Sequence, residues 1–278
     1  MERKRLTQRF PWLFPLRKKQ RIFCFYLGMR FDGAHYSSMQ DGVFLPVLLF
    51  SSRCPMYNGN TGFDMVYQEN KVHNLKLVAA KLDGLLIRPG ETFSFWRSIR
   101  SADRKEPYKE ALATVNGRLV TVPGGGLCQM TNLLFWVFLH SPLVIAERHG
   151  HQVKDFPEPE SDAPCGVDAA VAEGWKDLKV RNETDLVFQI GIDFDETGVT
   201  GALYVQKEPG FRWRAENRKV RYYKSRGRVF EEADVLQKKI SLPDGAVEEE
   251  KLLYTNRCKI GYPLPAKTVI LERDHLSR

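Results

Sequence analysis

The chain has 278 residues, of which 43% are hydrophobic and 12% aromatic. That is enough apolar material for one large folded domain or two ordinary ones, and it excludes a disordered tail as the whole of the protein. The five cysteines form no CxxC pair and are widely spaced, which excludes a disulfide framework and a four-cysteine zinc module and favours reduced thiols. They are Cys24, Cys54, Cys128, Cys165 and Cys258.

The formal net charge of +8 is concentrated at the start of the chain. Residues 1–30 hold nine Lys or Arg against one Glu, and the rest of the chain balances its basic and acidic residues. Because the body is neutral, we expect no nucleic-acid partner. The basic arm also carries large apolar residues, a mixture that suits an anionic membrane surface; a solvated or disordered tail is the alternative.

The longest apolar runs of the N-terminal part, 22–29 and 43–50, hold eight residues each. They lack the small-residue cleavage pattern of a signal peptide and are shorter than the roughly 20 residues of a membrane-spanning helix. We therefore predict a location in the cytoplasm or at the inner surface of the membrane, and leave an extracellular location open.

Apolar spacing predicts an amphipathic helix over 70–85, and alternation predicts a strand over 91–96. Residues 31–68 read as irregular, with one short helix or strand at most. A strand pair over 111–121, with a turn at Asn116-Gly117, leads into a run of three glycines.

The segment 128–140 is apolar on nearly every face, which indicates a buried helix. The strands predicted after it lie at 143–153, 166–171, 178–181, 187–194 and 201–206, and β-hairpins follow over 211–262. These elements predict an α+β fold in which a buried helix with an N-terminal cysteine packs on an antiparallel β-sheet, with a β-rich C-terminal part. We divide the chain into a basic arm (1–30), a core domain (31–208) and a C-terminal β-hairpin region (209–278).

Cys128 follows the triple glycine and begins the predicted helix. Unpaired backbone N–H groups and the positive end of the helix dipole favour a thiolate at such a position, which is a common way to activate a nucleophilic cysteine. The other four cysteines lack this setting, and we interpret them as structural.

His149 and His151 share one face of the predicted strand 143–153, and Asp168 lies on the next predicted strand. A thiolate, an imidazole and a carboxylate are the groups that acyl transfer through sulfur requires, with backbone N–H groups near Cys128 as an oxyanion hole. The order helix-Cys, strand-His, strand-Asp resembles the core of transglutaminase-like and papain-like enzymes, an analogy at fold level alone.

Other interpretations of the same residues remain. Both histidines could be ordinary strand residues, and Asp168 could cap a turn. A zinc site built from Cys128, His149, His151 and Asp168, which would make the protein a zinc-dependent peptidase, is a lesser alternative. No HExxH or CxxC motif supports it, and we expect no metal or other cofactor. The glycine run lacks the lysine and hydroxyl residue of a phosphate-binding loop.

Six segments resemble the VanW family in order and spacing. They are PGETFSFW at 89–96, YKEA at 108–111, GGGLCQMTNLL at 124–134, ERHGH at 147–151, GVDAAV at 166–171 and DLKVRNET at 177–184. The resemblance implies a link to peptidoglycan and vancomycin resistance. Some proteins with this domain are regarded as L,D-transpeptidases that join third-position residues of stem peptides.

Carried over to this sequence, the family's nucleophile matches Cys128 and the more regular of its two histidines matches His151. The expected partner is a peptidoglycan stem peptide or precursor. A non-enzymatic module that binds a precursor or a resistance enzyme at the inner membrane surface is the alternative. The residues that we expect to contribute to binding are Gly124, Gly125, Gly126, Gln129, Thr131 and Asn132.

Overall fold

The computed structural model describes residues 11–115 and 118–272. These residues contain four α-helices, α1 (Phe14–Phe31), α2 (Val66–Leu82), α3 (Phe95–Ser98) and α4 (Cys128–Phe138). The strands of the first half are β1 (His35–Tyr36), β2 (Val47–Pro55), β3 (Leu86–Ile87), β4 (Glu91–Ser94), β5 (Glu110–Val115), β6 (Arg118–Pro123), β7 (Val144–Glu147) and β8 (Val153–Lys154). Those of the second half are β9 (Lys179–Arg181), β10 (Phe188–Phe194), β11 (Gly198–Val205), β12 (Phe211–Ser225), β13 (Arg228–Ser241), β14 (Val247–Ile260) and β15 (Ile270–Glu272).

Helix α4 is the buried helix that the sequence predicts. Leu134, Phe135 and Phe138 are fully buried, and the helix packs on β2 and β11. These strands belong to an antiparallel sheet of order β2-β11-β10-β3. Burying each such side chain contributes about 1.5–3 kcal/mol, so this contact holds the N-terminus of α4 in place. The predicted fold class is confirmed.

A second sheet has the order β1-β4-β9-β7, and Phe93 and Val180 on its strands are buried in the core. Strand β4 stops at Ser94 and not at residue 96 as predicted. The Ser94 hydroxyl accepts the backbone N–H of Arg97 at 3.2 Å and so caps α3. Because an N-cap residue is extended while the next residue is helical, the chain leaves the sheet here and Phe95 and Trp96 enter the core from a helix.

The C-terminal part is β-rich, as predicted. Two long hairpins join β12, β13 and β14, and the sheet has the order β15-β12-β13-β14-β8. Strand β8 comes from the middle of the chain, where Val153 pairs with Lys259. The division of the chain at residue 208 remains a prediction.

Several local predictions need correction. Residues 31–68 contain the nine-residue strand β2, which the sequence pattern missed. Strands β9 and β10 are consecutive in the chain but lie in different sheets, so 178–206 is not a simple meander. Strands β5 and β6 confirm the predicted pair over 111–121, and the predicted turn at Asn116-Gly117 lies outside the described residues.

Two strand predictions near the site are wrong: the predicted strand 143–153 is interrupted at the two histidines, and the predicted strand 166–171 does not form. Strand β7 ends at Glu147 and β8 begins at Val153 in another sheet, so both histidines lie in the connection between sheets. Residues 166–171 form no strand, because their backbone is held by other groups. The Ala169 N–H donates to Asn132 Oδ1 at 2.7 Å, and the Ala170 N–H donates to the His149 carbonyl at 2.7 Å.

Helix α1 occupies part of the basic arm and is attached to the body on one side. The Tyr26 hydroxyl donates to Glu173 Oε1 at 2.8 Å, Arg21 lies 4.8 Å from the Trp175 ring centroid, and Met29 is buried. In the described ranges, no helix has both the length and the apolar character needed to cross a bilayer.

Candidate functional site

The three glycines form the turn that leads from β6 into α4. Gly124 and Gly126 have φ angles of 76° and 82°, in the left-handed region that favours glycine. Gly125 lies so close to β5 that a Cβ atom there would stand 2.1 Å from the Ala111 carbonyl oxygen. The glycine run therefore lets the backbone turn tightly beneath the start of α4.

This turn leaves backbone donors free at Cys128. In the ranges 11–115 and 118–272, the backbone N–H groups of Gly126, Leu127 and Cys128 have no hydrogen-bond acceptor, and the helical bonds begin with Gln129 donating to the Gly126 carbonyl at 3.1 Å. Free N–H groups at a helix N-terminus attract negative charge. They are the donors that an oxyanion hole beside a cysteine would use.

His151 is held by Asp168 through two contacts. Its ring Nδ1 lies 2.5 Å from Asp168 Oδ1, and its backbone N–H donates to Asp168 Oδ2 at 2.6 Å. The Asp168 side chain is 5% exposed and the His151 side chain 26% exposed. Because Asp168 is an acceptor, Nδ1 carries a proton, and Nε2 is the ring nitrogen left for the thiol.

The Cys128 thiol donates to the Val171 carbonyl at 3.8 Å, and it lies near enough to the His151 ring for each group to shift the pKa of the other. Burial by itself raises the pKa of Cys128, but the hydrogen bond with His151 and the positive charge of that ring outweigh it, so the pKa lies below its ordinary value. Burial likewise acts to lower the pKa of His151, and the bonds to Asp168 and Cys128 overcome it and raise that pKa well above the usual range. The three groups favour a thiolate, an imidazolium and a carboxylate.

Asp168 stays ionised although it is buried. Burial raises its pKa, but the bonds from His151 and the nearby charge of Arg148 bring the pKa below its ordinary value. The Arg148 Nε donates to the Asp168 carbonyl at 2.5 Å, and its guanidinium donates to Asn256 Oδ1 at 2.6 Å while lying 4.1 Å from the Tyr254 ring centroid. Asn256 and Tyr254 of β14 thus hold Arg148, and Arg148 in turn supports Asp168.

The polar residues of the first turn of α4 attach this helix to its surroundings. Thr131 Oγ1 donates to the Ala169 carbonyl at 2.6 Å, and Asn132 accepts the Ala169 N–H, so both side chains hold the segment that carries Asp168. Gln129 Nε2 donates to the Pro55 carbonyl at 2.6 Å at the end of β2. A role of these residues and of Gly124–Gly126 in binding a substrate remains a prediction.

His149 has a different partner from His151. Its Nε2 lies 3.0 Å from Glu147 Oε1, and Glu147 also pairs with Lys179 at 3.0 Å. His149 and His151 thus diverge, because the backbone between them has left the sheet. His151 is paired with Asp168, whereas His149 is paired with Glu147, which in turn pairs with Lys179 of β9.

A zinc site receives no geometric support. Among the residues that the structure describes, no group of three or more His, Cys, Asp or Glu side chains is arranged to hold a metal ion. Asp168 is instead bonded to His151, and the Cys128 thiol donates to the Val171 carbonyl.

Sequence reasoning missed Arg148 and Asn256 as supports of Asp168. Arg148 stands between Glu147 and His149 in the ERHGH motif, and its position there was the available signal. No local pattern could reveal Asn256, which lies 108 positions further along the chain and reaches Arg148 through the hairpin β13–β14.

Comparisons with known proteins place the chain among its relatives. A family model described as VanW like protein matches residues 70–204, a range that contains Cys128, His151 and Asp168. The chain is 54% identical over 274 residues to the Vancomycin B-type resistance protein VanW of Enterococcus faecalis, covering 99% of this chain and all of that protein. It is 33% identical over 115 residues to Uncharacterized protein YoaR of Bacillus subtilis, covering 41% of this chain and 36% of that one. No solved structure matches it significantly.

Proposed function

The chain belongs to the VanW family, and from this membership together with the row of thiol, imidazole and carboxylate we propose that it acts in vancomycin resistance as a cysteine-dependent acyltransferase on peptidoglycan stem peptides. The reaction type is that of an L,D-transpeptidase. The observation that carries the proposal is the pairing of His151 with Asp168 at 2.5 Å, with the Cys128 thiol at the N-terminus of α4 near enough to this ring for its pKa to be lowered.

In the first half of the reaction, the Cys128 thiolate attacks the carbonyl carbon of a donor peptide amide. The carbonyl oxygen becomes an oxyanion, to which the free N–H groups of Leu127 and Cys128 donate. The imidazolium of His151 gives its Nε2 proton to the departing amine, the C–N bond breaks, and a thioester on Cys128 remains.

In the second half, the amine of another stem peptide attacks the thioester carbon. His151, now neutral, takes a proton from this amine, a new amide bond forms, and the sulfur leaves as a thiolate. The proton taken up in the second half replaces the one given away in the first. The enzyme returns to its starting state, and the two peptides are joined without use of a D-Ala-D-Ala end, to which vancomycin binds.

The direct test is Cys128→Ala in a vancomycin-resistant strain where deletion of the gene changes the cross-link profile or the resistance. We expect the variant to behave like the deletion, because no other group at the site can form the thioester. Muropeptide mass spectrometry measures cross-links between third-position residues. Cys165→Ala is the matched control, since burial raises the pKa of that thiol and its side-chain partner is Glu231. Full restoration of both phenotypes by Cys128→Ala would contradict the acyl-transfer proposal.

Helix α1 favours a second, non-enzymatic role at an anionic membrane surface. Leu16, Phe23, Leu27 and Phe31 recur at spacings that place them on one face, and their exposed fractions are 66%, 65%, 42% and 77%. The helix carries five Lys or Arg and no acidic residue, namely Arg17, Lys18, Lys19, Arg21 and Arg30. An apolar face with basic neighbours suits anionic lipid headgroups above acyl chains.

We expect the double variant Phe23→Ser/Leu27→Ser to bind vesicles that contain phosphatidylglycerol much more weakly than the unaltered protein does. Each exposed side chain contributes about 1.5–3 kcal/mol when it is buried in the bilayer, which corresponds to at least about tenfold per residue. Co-sedimentation of the full chain with vesicles measures the affinity. The control is Leu252→Ser on β14, whose side chain is 54% exposed.

The vesicle result also separates the two roles. Equal binding by the double variant and the control would remove the membrane proposal. Loss of resistance in the α1 variant, with full resistance in Cys128→Ala, would instead support a module that acts at the membrane without catalysis.

A further inference from the structure

Lys71, in α2, carries a positive charge that is not paired with a carboxylate of the described residues. Its Nζ donates to Gln68 Oε1 at 2.8 Å, and Gln68 is neutral. No ion pair joins Lys71 to an Asp or Glu of the described residues, and the Cys54 thiol is the one titratable group that acts on it. Burial lowers the pKa of Lys71 to about 8, and the nearby Cys54 opposes this.

An ammonium group has three N–H donors, and the bond to Gln68 occupies one of them. Lys71 is half-buried, and a charge withdrawn from water is costly unless it is paired. At neutral pH Lys71 is mostly protonated and retains donors for which the described residues supply no carboxylate. This is the arrangement expected where an external anion completes the site.

The position of Lys71 connects it to the glycine turn. A Cβ atom at Gly126 would stand 2.3 Å from Lys71 Cγ and 2.8 Å from its Cδ. Glycine at this position therefore allows the lysine stem to lie against the backbone that leads to Cys128. Gly126 is also the first of the three residues with free N–H groups, the others being Leu127 and Cys128. The lysine stem therefore packs against the start of the segment that carries these donors.

Gln129, close to Cys54, has a side-chain oxygen that lacks a hydrogen-bond donor among the described residues. Its Nε2 donates to the Pro55 carbonyl and lies 3.5 Å from Cys54 Sγ, while its Oε1 is buried and has no donor within residues 11–115 and 118–272. Cys54 is also the thiol that Lys71 acts on. An acceptor without a donor and an ammonium without an anion thus occur in one cluster. A bound peptide carboxylate would supply the missing anion.

We propose that Lys71 binds a carboxylate of the peptide whose amide Cys128 attacks, and that the cluster of Lys71, Gly126 and Gln129 is the carboxylate subsite of the protein. The inference rests on the proposed acyl transfer, and it narrows the donor to a peptide that ends in a free carboxylate. The glycine turn then has two roles, since it exposes donors for the reacting carbonyl and admits the lysine that orients the peptide.

The test compares Nα,Nε-diacetyl-L-lysyl-D-alanine with its C-terminal amide, by calorimetric titration of the full chain carrying Cys128→Ala. We expect the acid to bind about 10-fold to 100-fold more tightly at pH 7, since a hydrogen bond to a charged group is worth this factor. Lys71→Met should remove the preference for the acid. Lys81→Met, at an exposed lysine of the same helix, should keep it.

The pH dependence separates an anion-binding lysine from a packing lysine. The peptide carboxylate is ionised throughout pH 6–10, so the preference for the acid should decline as the pH rises through about 8, where Lys71 loses its proton. Lys71→Met should show no such decline. Thermal unfolding of Lys71→Met and of a second variant, Lys71→Gln, checks that both are folded.

Equal binding of acid and amide, binding of neither, or a preference that persists in Lys71→Met overturns the subsite. Because these titrations use a protein without the Cys128 thiol, they do not depend on catalysis. A lysine-dependent preference for the acid in a protein whose cross-link profile is insensitive to Cys128→Ala would uphold the subsite and contradict the acyl-transfer function.

Discussion

Replacing His151 with glutamine is expected to slow alkylation of Cys128 by iodoacetamide at least about tenfold near neutral pH. The His151 ring is what overcomes burial and brings the pKa of Cys128 below its ordinary value. Without it, burial dominates and the pKa rises. Each unit of that rise lowers the thiolate fraction about tenfold at any pH below the pKa, and the thiolate is the species that reacts.

The pH dependence of the alkylation rate shows in which direction the pKa of Cys128 has moved. In the unaltered protein, reactivity is lost as the pH falls through the lowered pKa of Cys128; in His151→Gln this loss occurs at higher pH. Asp168→Asn should move the profile in the same direction by a smaller amount. The Asp168 carboxylate bonds directly to the imidazolium and helps to keep the pKa of His151 high, and the imidazolium in turn stabilises the thiolate.

Mass spectrometry of the peptide that contains Cys128 measures the rate between pH 5 and pH 10. His149→Gln is the matched control, because that ring pairs with Glu147 and should leave the profile unchanged. If His149→Gln shifted the profile and His151→Gln did not, the roles of the two histidines would be reversed.

Gly125→Ala is expected to lower the free energy of unfolding by about 1–3 kcal/mol. The added Cβ would stand 2.1 Å from the Ala111 carbonyl oxygen and 2.4 Å from its carbonyl carbon. Both are backbone atoms of β5 and cannot rotate away, so the turn or the strand must shift. Such a shift displaces the start of α4, and we expect slower alkylation of Cys128 as well.

Urea unfolding measures the stability of this variant. Gly42→Ala is the control, since a Cβ there meets nothing within 4 Å and its φ lies outside the left-handed region. Its stability should be unchanged or slightly increased, because alanine reduces the entropy of the unfolded chain. Similar stabilities for the two variants would mean that the turn at Gly125 adapts without cost.

Several features of the fold were predictable because they depend on neighbours in the chain. The apolar pattern after residue 128 requires a helix that is buried on nearly all sides, and α4 is such a helix. The turn residues within 211–262 predict hairpins, and β12, β13 and β14 form them. The glycines before Cys128 predict a tight turn at a helix start, which the structure has.

The site itself was predictable in its members and only partly in its geometry. The residue types indicated Cys128, His151 and Asp168, and the structure brings these three together. The predicted strand that carried both histidines was wrong, because Asp168 binds the backbone N–H and the ring of His151 and the chain changes sheets between β7 and β8. An alternation of side chains cannot reveal such a change, since it depends on partners elsewhere in the chain.

The sequence alone determined the family resemblance, the α+β class, the buried helix and the placement of a cysteine after three glycines. The tertiary structure alone decided that His151 and not His149 pairs with Asp168, that Arg148 and Asn256 support Asp168, and that the stem of Lys71 lies against Gly126. The physical reason is the range of the forces. Helix periodicity and turn conformation follow from adjacent residues, whereas the pKa of a thiol and the pairing of a buried charge depend on groups that folding brings together.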